Sequence, residues 1–328
     1  LLFGVWFHLL RVSRPKVNPP LGLAVGSILA FTALSLAHPA LSQPPADFST
    51  VPAGIGFDWF YLFAYPLLDK VSPAALWIVL VGSSLLLCFL PWLPSWRKTP
   101  PALVSLPDCN GCGRCVTDCP YNAVSLNPRS DGLAYDSEAV VDNDLCTRCG
   151  ICAGACPTST PLRRLGDITP GIDLPAHPVR ALREETLAAA ARLAGEGRVL
   201  VYGCQHGPNL ARLKSSGVEV VAVECLAQLP PSFLDFVITR RHADGVMLYG
   251  CRENDCHYRF GVEWTQQRLR AERDPYLRAR VPRERVASFW GNATDTRAFL
   301  RELEVFRTRL RGYGPYRSAT AAKTEEAP

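Results

Sequence analysis

The sequence predicts a multidomain chain: a transmembrane α-helical segment, a small α+β cysteine-rich domain, and an α/β domain built on a parallel sheet. Three observations carry this. Residues 21–42 and 74–93 are apolar runs without a single Asp, Glu, Lys or Arg. A CxxCxxCxxxCP run occurs twice, beginning at Cys109 and at Cys146. Beyond residue 197, short branched apolar runs alternate with helix-like sequence, the pattern of parallel strands joined by crossover helices. A chain of 328 residues has room for separate cores. The parts divide as 1–98, 99–167, a linker and helix over 168–196, 197–312, and a flexible tail over 313–328.

In the first part, about 20 helical residues at 1.5 Å each match a hydrocarbon core of roughly 30 Å. The plainer reading, two helices buried in a large core, is disfavoured because such helices seldom lack every charge over this length. "LLFGVWFHLL" at residues 1–10 reads as the last turns of a third span that starts upstream. Arg11, Arg14 and Lys16 precede the first full run, and Arg97 and Lys98 follow the second. The stretch between holds Asp47, Asp58 and Asp69 against Lys70. The positive-inside rule then gives a multi-pass protein of the cytoplasmic membrane with its cysteine-rich parts facing the cytoplasm.

The connecting stretch "PADFSTVPAGIGFDWFYLFAYPLL" places Asp58 beside Trp59, Phe60 and Tyr61. Composition alone reads this equally well as an interfacial aromatic belt. The stretch resembles the cytochrome b loop in which a Pro-Glu-Trp-Tyr motif lines the quinol-oxidation site; here the motif reads Phe57-Asp58-Trp59-Phe60. "FHLLRVSRPKVNPP" similarly resembles the end of the cytochrome b helix whose histidine binds haem. Taken alone, a histidine in an apolar run is more often a packed or interfacial residue. The resemblance covers residues 1–96. It implies haem b ligation by His8, a quinone site at Trp59, Phe60 and Tyr61, Asp58 as the acceptor of a quinol proton, and other cytochrome b-type complex subunits as partners.

The chain has thirteen cysteines. Their spacing is that of metal ligands and excludes a secreted disulfide scaffold. The two runs are Cys109, Cys112, Cys115, Cys119-Pro120 and Cys146, Cys149, Cys152, Cys156-Pro157. This is the pattern of the bacterial two-cluster ferredoxins, in which the fourth cysteine of each run ligates the other cluster. The resemblance implies one [4Fe–4S] cluster on Cys109, Cys112, Cys115 and Cys156, and a second on Cys146, Cys149, Cys152 and Cys119. Duplicated four-cysteine runs with trailing proline are too specific for zinc.

Next comes a Pro-rich linker over 168–178, then the helix-like "ALREETLAAAARLA". "RVLVYGC", "VEVVAVEC" and "DGVMLYGC" read as strands, ending at Cys204, Cys225 and Cys251. The carboxyl edge of an open α/β sheet is where ligands bind. Cys256 adds a fourth thiol, and four thiols there could hold a [2Fe–2S] cluster, a zinc ion or nothing. The stretch from "VYGC" to "GCRENDCHYRFG" resembles the delta (iron–sulfur) subunit of methanogen-type hydrogenases over residues 197–312. That resemblance implies a [2Fe–2S] cluster on Cys204, Cys225, Cys251 and Cys256 and delivery of electrons to heterodisulfide reductase. It departs from the family at Cys204-Gln205-His206-Gly207, where a CxxC-type pair is usual.

The net charge of +5 is a sum over unlike segments and supports no nucleic-acid argument. The arginines from Arg259 to Arg311 read as a solvated helix face or a surface for an acidic redox partner, with no nucleic-acid motif beside them. The expectation is an electron-transfer subunit of a quinone-linked membrane oxidoreductase. It would join the quinone pool and haem b to a cytoplasmic heterodisulfide-reductase-like or hydrogenase-like flavoprotein. The alternative is a membrane-anchored iron–sulfur docking module without haem or quinone.

Overall fold

A computed structural model describes residues 2–6, 21–39, 49, 66, 70–89, 99–162, 169–207, 209–210, 213, 215–314 and 316. The chain separates into two compact units, one of residues 18–98 and one of residues 1–17 with 99–328.

Among its described residues the smaller unit holds two helices, α1 (Leu21–Ala37) and α2 (Pro73–Phe89). Ser72 opens α2 by accepting the Ala75 amide at 3.3 Å, and Pro73 occupies the first helical position. Ser83 and Ser84 donate to the Leu80 carbonyl at 3.0 and 2.7 Å, which satisfies both hydroxyls inside an apolar helix. Neither helix has a buried residue.

The expectation of membrane spans is corrected here. Among the described residues, no helix is long and apolar enough to cross a membrane. Each of the two has 17 residues, about 25 Å of helix against a core of roughly 30 Å. The first apolar run outlasts its helix because Pro39 disfavours helical geometry at His38. Hydropathy counted the residues on both sides of that break as one span. The multi-pass placement in the cytoplasmic membrane falls with the transmembrane segment.

The larger unit begins with two small antiparallel pairs. Strand β1 (Leu103–Val104) pairs with β4 (Ile172–Asp173), and β2 (Val124–Pro128) pairs with β3 (Ser137–Val141). The Pro-rich stretch after residue 168 therefore supplies a strand. Two five-residue helices, α3 (Arg114–Asp118) and α4 (Ile151–Ala155), are built alike. Gly113 and Gly150 precede them at φ of 72° and 75°, and Cys119 and Cys156 follow them in extended conformation. Glycine at the left-handed position lets each cysteine loop turn straight into its helix.

Beyond α5 (Val179–Arg192) lies a four-stranded parallel sheet. Its strands are β5 (Val199–Cys204), β6 (Val218–Val223), β7 (Gly245–Gly250) and β8 (Val286–Trp290), in the order β6-β5-β7-β8. Between and after them come α6 (Ser232–Thr239), α7 (Gly261–Leu269) and α8 (Thr296–Tyr313). Alternate residues of β5 and β7 enter two cores. Leu200, Tyr202 and Leu248 pack with Leu182 of α5 and Phe233 of α6; Val201, Met247 and Tyr249 pack with Phe299 and Phe306 of α8.

Strand β8 went unrecognised because "VASFW" is short and only partly buried at the sheet edge. The arginines read as a solvated face include structural ones. Arg285 is buried and donates to the carbonyls of Asp244 and Gly314 at 2.9 and 2.8 Å. Arg268 is buried against Asp118.

Candidate metal centres

Two cavities lie inside the small-strand region. The first is lined by Cys109, Cys112, Cys115 and Cys156. The second is lined by Cys119, Cys146, Cys149 and Cys152. Each cavity thus takes three sulfurs from one run and the fourth from the other, because each fourth cysteine sits at the far end of its helix. Around the first, Gly111 stands at a φ of 65°, and a Cβ there would lie 2.3 Å from the Ser137 carbonyl oxygen. Arg129 donates to the carbonyls of Cys109 and Leu106, both at 2.5 Å, and holds the loop in place. In the second, the Ala123 amide donates to Cys119 Sγ at 3.2 Å.

Burial and the neighbouring sulfurs Cys112, Cys156 and Cys109 push the Cys115 thiol up to about 12. Burial pushes Cys149 to about 11 and drives Cys152 well above the ordinary thiol range. Four thiolates crowded into an apolar cavity repel one another and lose hydration. A polycationic centre that replaces the protons removes both penalties. The donor set is sulfur alone, with apolar Leu126, Ala139 and Ile172 around the first cavity, and it fits a soft iron–sulfur cluster.

A third group of four sulfurs lies at the carboxyl edge of the parallel sheet. Cys204 ends β5, Cys225 follows β6, Cys251 follows β7, and Cys256 sits on the next loop. All four are buried, at 2 %, 2 %, 4 % and 7 % exposure. Cys204 Sγ and Cys251 Sγ stand 3.6 Å apart. Cys225 Sγ and Cys256 Sγ both face Gly261, where a Cβ would lie 2.3 Å from the first and 3.2 Å from the second. The four thiols hold their protons unequally: Cys204 and Cys256 are held below the usual thiol range, Cys251 and Cys225 above it. Four buried thiols at one sheet edge are a donor set of the soft kind that thiophilic metals take. Gly261, the first residue of α7, leaves the necessary room by lacking that Cβ.

Several supporting residues were not anticipated. Glu224 accepts from His206 Nε2 at 2.7 Å and from the Tyr258 hydroxyl at 2.5 Å. Burial opposes its ionisation, yet these two hydrogen bonds hold it below the usual carboxylate range. His206 stacks on His257 with ring centroids 3.9 Å apart. Buried Gln228 accepts from the Glu224 amide and donates to the His177 carbonyl, which fixes the turn after Cys225. The available signal was adjacency: Glu224, His257 and Tyr258 lie within two residues of a site cysteine. The structure gathers all twelve expected cysteines into three groups of four. His8, Asp58, Trp59, Phe60 and Tyr61 lie outside the described residues.

Comparison with known proteins bears on both halves of this unit. The family profile "4Fe-4S dicluster domain" matches residues 108–160. An uncharacterised ferredoxin of Methanocaldococcus jannaschii is 35% identical over 57 residues, which is 17% of this chain and 69% of that protein. Over these residues the chain belongs to the 4Fe–4S dicluster ferredoxins. The ferredoxin domain therefore binds [4Fe–4S] clusters.

The profile "Methyl-viologen-reducing hydrogenase, delta subunit" matches residues 209–314, so the parallel sheet carries a domain of that kind. Cys225, Cys251 and Cys256 fall inside that match and Cys204 just before it. The iron–sulfur subunit of an F420-non-reducing hydrogenase from Methanococcus voltae is 28% identical over 115 residues, 35% of this chain and 79% of that protein. One subunit of a ferredoxin:CoB-CoM heterodisulfide reductase from Methanosarcina mazei is 25% identical over 131 residues, 38% of this chain but 16% of that protein. Neither profile reaches the first 107 residues, so cytochrome b, haem and quinone gain no support from them. The chain is an iron–sulfur electron-transfer subunit related to those of hydrogenase and heterodisulfide reductase.

Proposed function

We propose that the protein carries three iron–sulfur centres and passes electrons between them and a partner subunit of the hydrogenase or heterodisulfide reductase kind. One [4Fe–4S] centre is assigned to Cys109, Cys112, Cys115 and Cys156, and the other to Cys119, Cys146, Cys149 and Cys152. A [2Fe–2S] centre is assigned to Cys204, Cys225, Cys251 and Cys256. The observation that carries the reading is the gathering of twelve cysteines into three sets of four within one compact unit, nine of them buried, Cys119 and Cys146 half-buried and Cys112 exposed. Such clusters accept and release single electrons when bound.

The residues of the chain supply the sulfurs, a dry apolar lining, and amide groups aimed at sulfur such as that of Ala123. Nothing in the three sites offers a base, nucleophile and oxyanion pocket together, so the reading is of a carrier. The partner assignment draws on the names of the relatives, which are subunits of such complexes.

Anaerobic iron and sulfide analysis tests the reading. The ligand sets predict about ten irons per chain. A value near eight with zinc present would make the C-terminal site a structural zinc site; near eight without zinc would leave four ordinary thiols. Haem b at His8 and quinone at the Asp58–Tyr61 stretch keep only their sequence resemblance. A haem absorbance spectrum of the chain decides the former.

A further inference from the structure

The ferredoxin domain and the parallel sheet meet along a buried seam, and the three sulfur sets are not equally placed about it. Cys152 of the second cavity shares a buried cluster with Cys109, Cys115 and Cys156 of the first. Cys149, also of the second cavity, shares a different buried cluster with Cys225 of the C-terminal site. Ile151, Ala227 and Tyr258 complete that cluster. Cysteines of the second cavity thus pack with both of the other sites, Cys152 with the first and Cys149 with the C-terminal one.

The closeness of the seam is built in. A Cβ on Gly154 of α4 would lie 1.9 Å from the Ala227 carbonyl oxygen, two residues after Cys225. Arg268 of α7, 1 % exposed, donates to that same carbonyl at 2.7 Å and to Asp118 Oδ2 at 2.5 Å. Asp118 is the residue before Cys119, and it also pairs with Arg273. Trp264 donates to the Asp118 carbonyl at 3.1 Å, and Arg259 donates to the Pro120 carbonyl at 2.7 Å. One guanidinium therefore ties the turn after Cys225 to the residue before Cys119. Buried ion pairs contribute little net stability against apolar replacements, and their best-attested use is to fix register.

We propose that the Cys149–Cys225 seam is the contact through which the ferredoxin domain and the C-terminal site exchange electrons. The first ferredoxin centre lies one step further back, and Asp118, Arg268 and Gly154 are the positioning residues of the seam. One electron lost on one side is gained on the other; no bond forms or breaks and no proton moves. This rests on the assignment of iron–sulfur centres to all three sites.

The test is electron spin relaxation of the C-terminal [2Fe–2S] signal in the full chain, reconstituted anaerobically. Full reduction of the ferredoxin domain should make that signal relax faster than under partial reduction. Cys112→Ser, in the first cavity, should keep the enhancement, and Cys146→Ser, in the second, should lose it. Gly154→Ala touches no sulfur and no charge. It should widen the seam and weaken the enhancement, read on samples that keep their iron, and this holds as the deciding variant if both serine variants shed theirs. Asp118→Asn should act in the same direction. An enhancement unaltered by Gly154→Ala, or one lost with Cys112→Ser alone, overturns the proposal while leaving the three centres in place. Iron near eight per chain, with no [2Fe–2S] signal, removes the C-terminal centre and overturns both readings.

Discussion

At the scale of single residues, the C-terminal site depends on what is missing from Gly261 as much as on its sulfurs. On the proposed ligand set, replacing Cys251 or Cys256 by Ser exchanges a soft ligand for a hard one, so each variant should lose the [2Fe–2S] EPR signal and keep the [4Fe–4S] signals. Wild-type spectra from both would make them ordinary core thiols. Gly261→Ala should have a similar but partial effect, because its new methyl group would meet Cys225 Sγ at 2.3 Å. Lowered [2Fe–2S] occupancy with full [4Fe–4S] content is the expected result. The site's cysteines were legible as the ends of three strand-like runs and the loop after them, and as a set from the resemblance to the hydrogenase delta subunit. Gly261 was visible only as the end of a family-like stretch, because its role depends on where α7 begins in space. The pairing of Glu224 with His206 was unreadable for the same reason, since a hydrogen bond across eighteen positions leaves no local pattern.

At the scale of elements, the turns into α3 and α4 and the start of α5 carry the testable energetics. Gly113 and Gly150 both sit in left-handed backbone. Alanine at Gly113 should destabilise the ferredoxin domain by about 1–2 kcal/mol from backbone conformation alone. Alanine at Gly150 should cost more, since its Cβ would also meet Leu174 and Gln228 at 2.6 and 2.7 Å. Denaturant midpoints of the two variants check the order.

Asp173 accepts the amides of Leu174 and Val179 and so caps α5 from a distance. Burial outweighs these bonds and lifts its carboxyl from the ordinary 3.8 to about 6. A carboxyl whose folded pKa is raised stabilises the protein below its unfolded pKa and loses that contribution as pH rises through the folded value. Stability should therefore fall between about pH 4 and pH 6, by no more than about 2 kcal/mol after partial exposure is allowed for. Asp173→Asn should flatten that slope in urea titrations run across the interval.

At the scale of the whole molecule, the buried Asp118–Arg268–Arg273 group joins the ferredoxin domain to the sheet. Removing one partner strands the others without solvent, so Asp118→Ala should cost about 3–5 kcal/mol. The exposed Arg180–Glu184 pair on α5 is the control, and Glu184→Ala should cost under about 0.5 kcal/mol. Equal losses in the two variants would mean that the buried pair carries no special weight. Pattern reading took these arginines for a solvated face because charge in a sequence says nothing of burial. Arg268 meets its carboxylate from 150 positions away.

The first apolar N-terminal run fails for a related reason. Hydropathy measures composition over a window, whereas crossing a membrane also needs an unbroken helix, and Pro39 ends the first helix early.

What the sequence alone determined is what local pattern encodes: two ferredoxin runs, three strands each leading to a cysteine at or just past its end, and the alternation of a parallel sheet. These are readable because a loop of a few residues must present its sulfurs in a set geometry whatever surrounds it. Tertiary structure decided which sulfurs sit beside which across the seam, how closely α4 may approach the turn after Cys225, and which charges are buried. Those follow from packing between segments far apart in the chain, and only the folded backbone brings Gly154, Ala227, Arg268 and Asp118 within reach of one another.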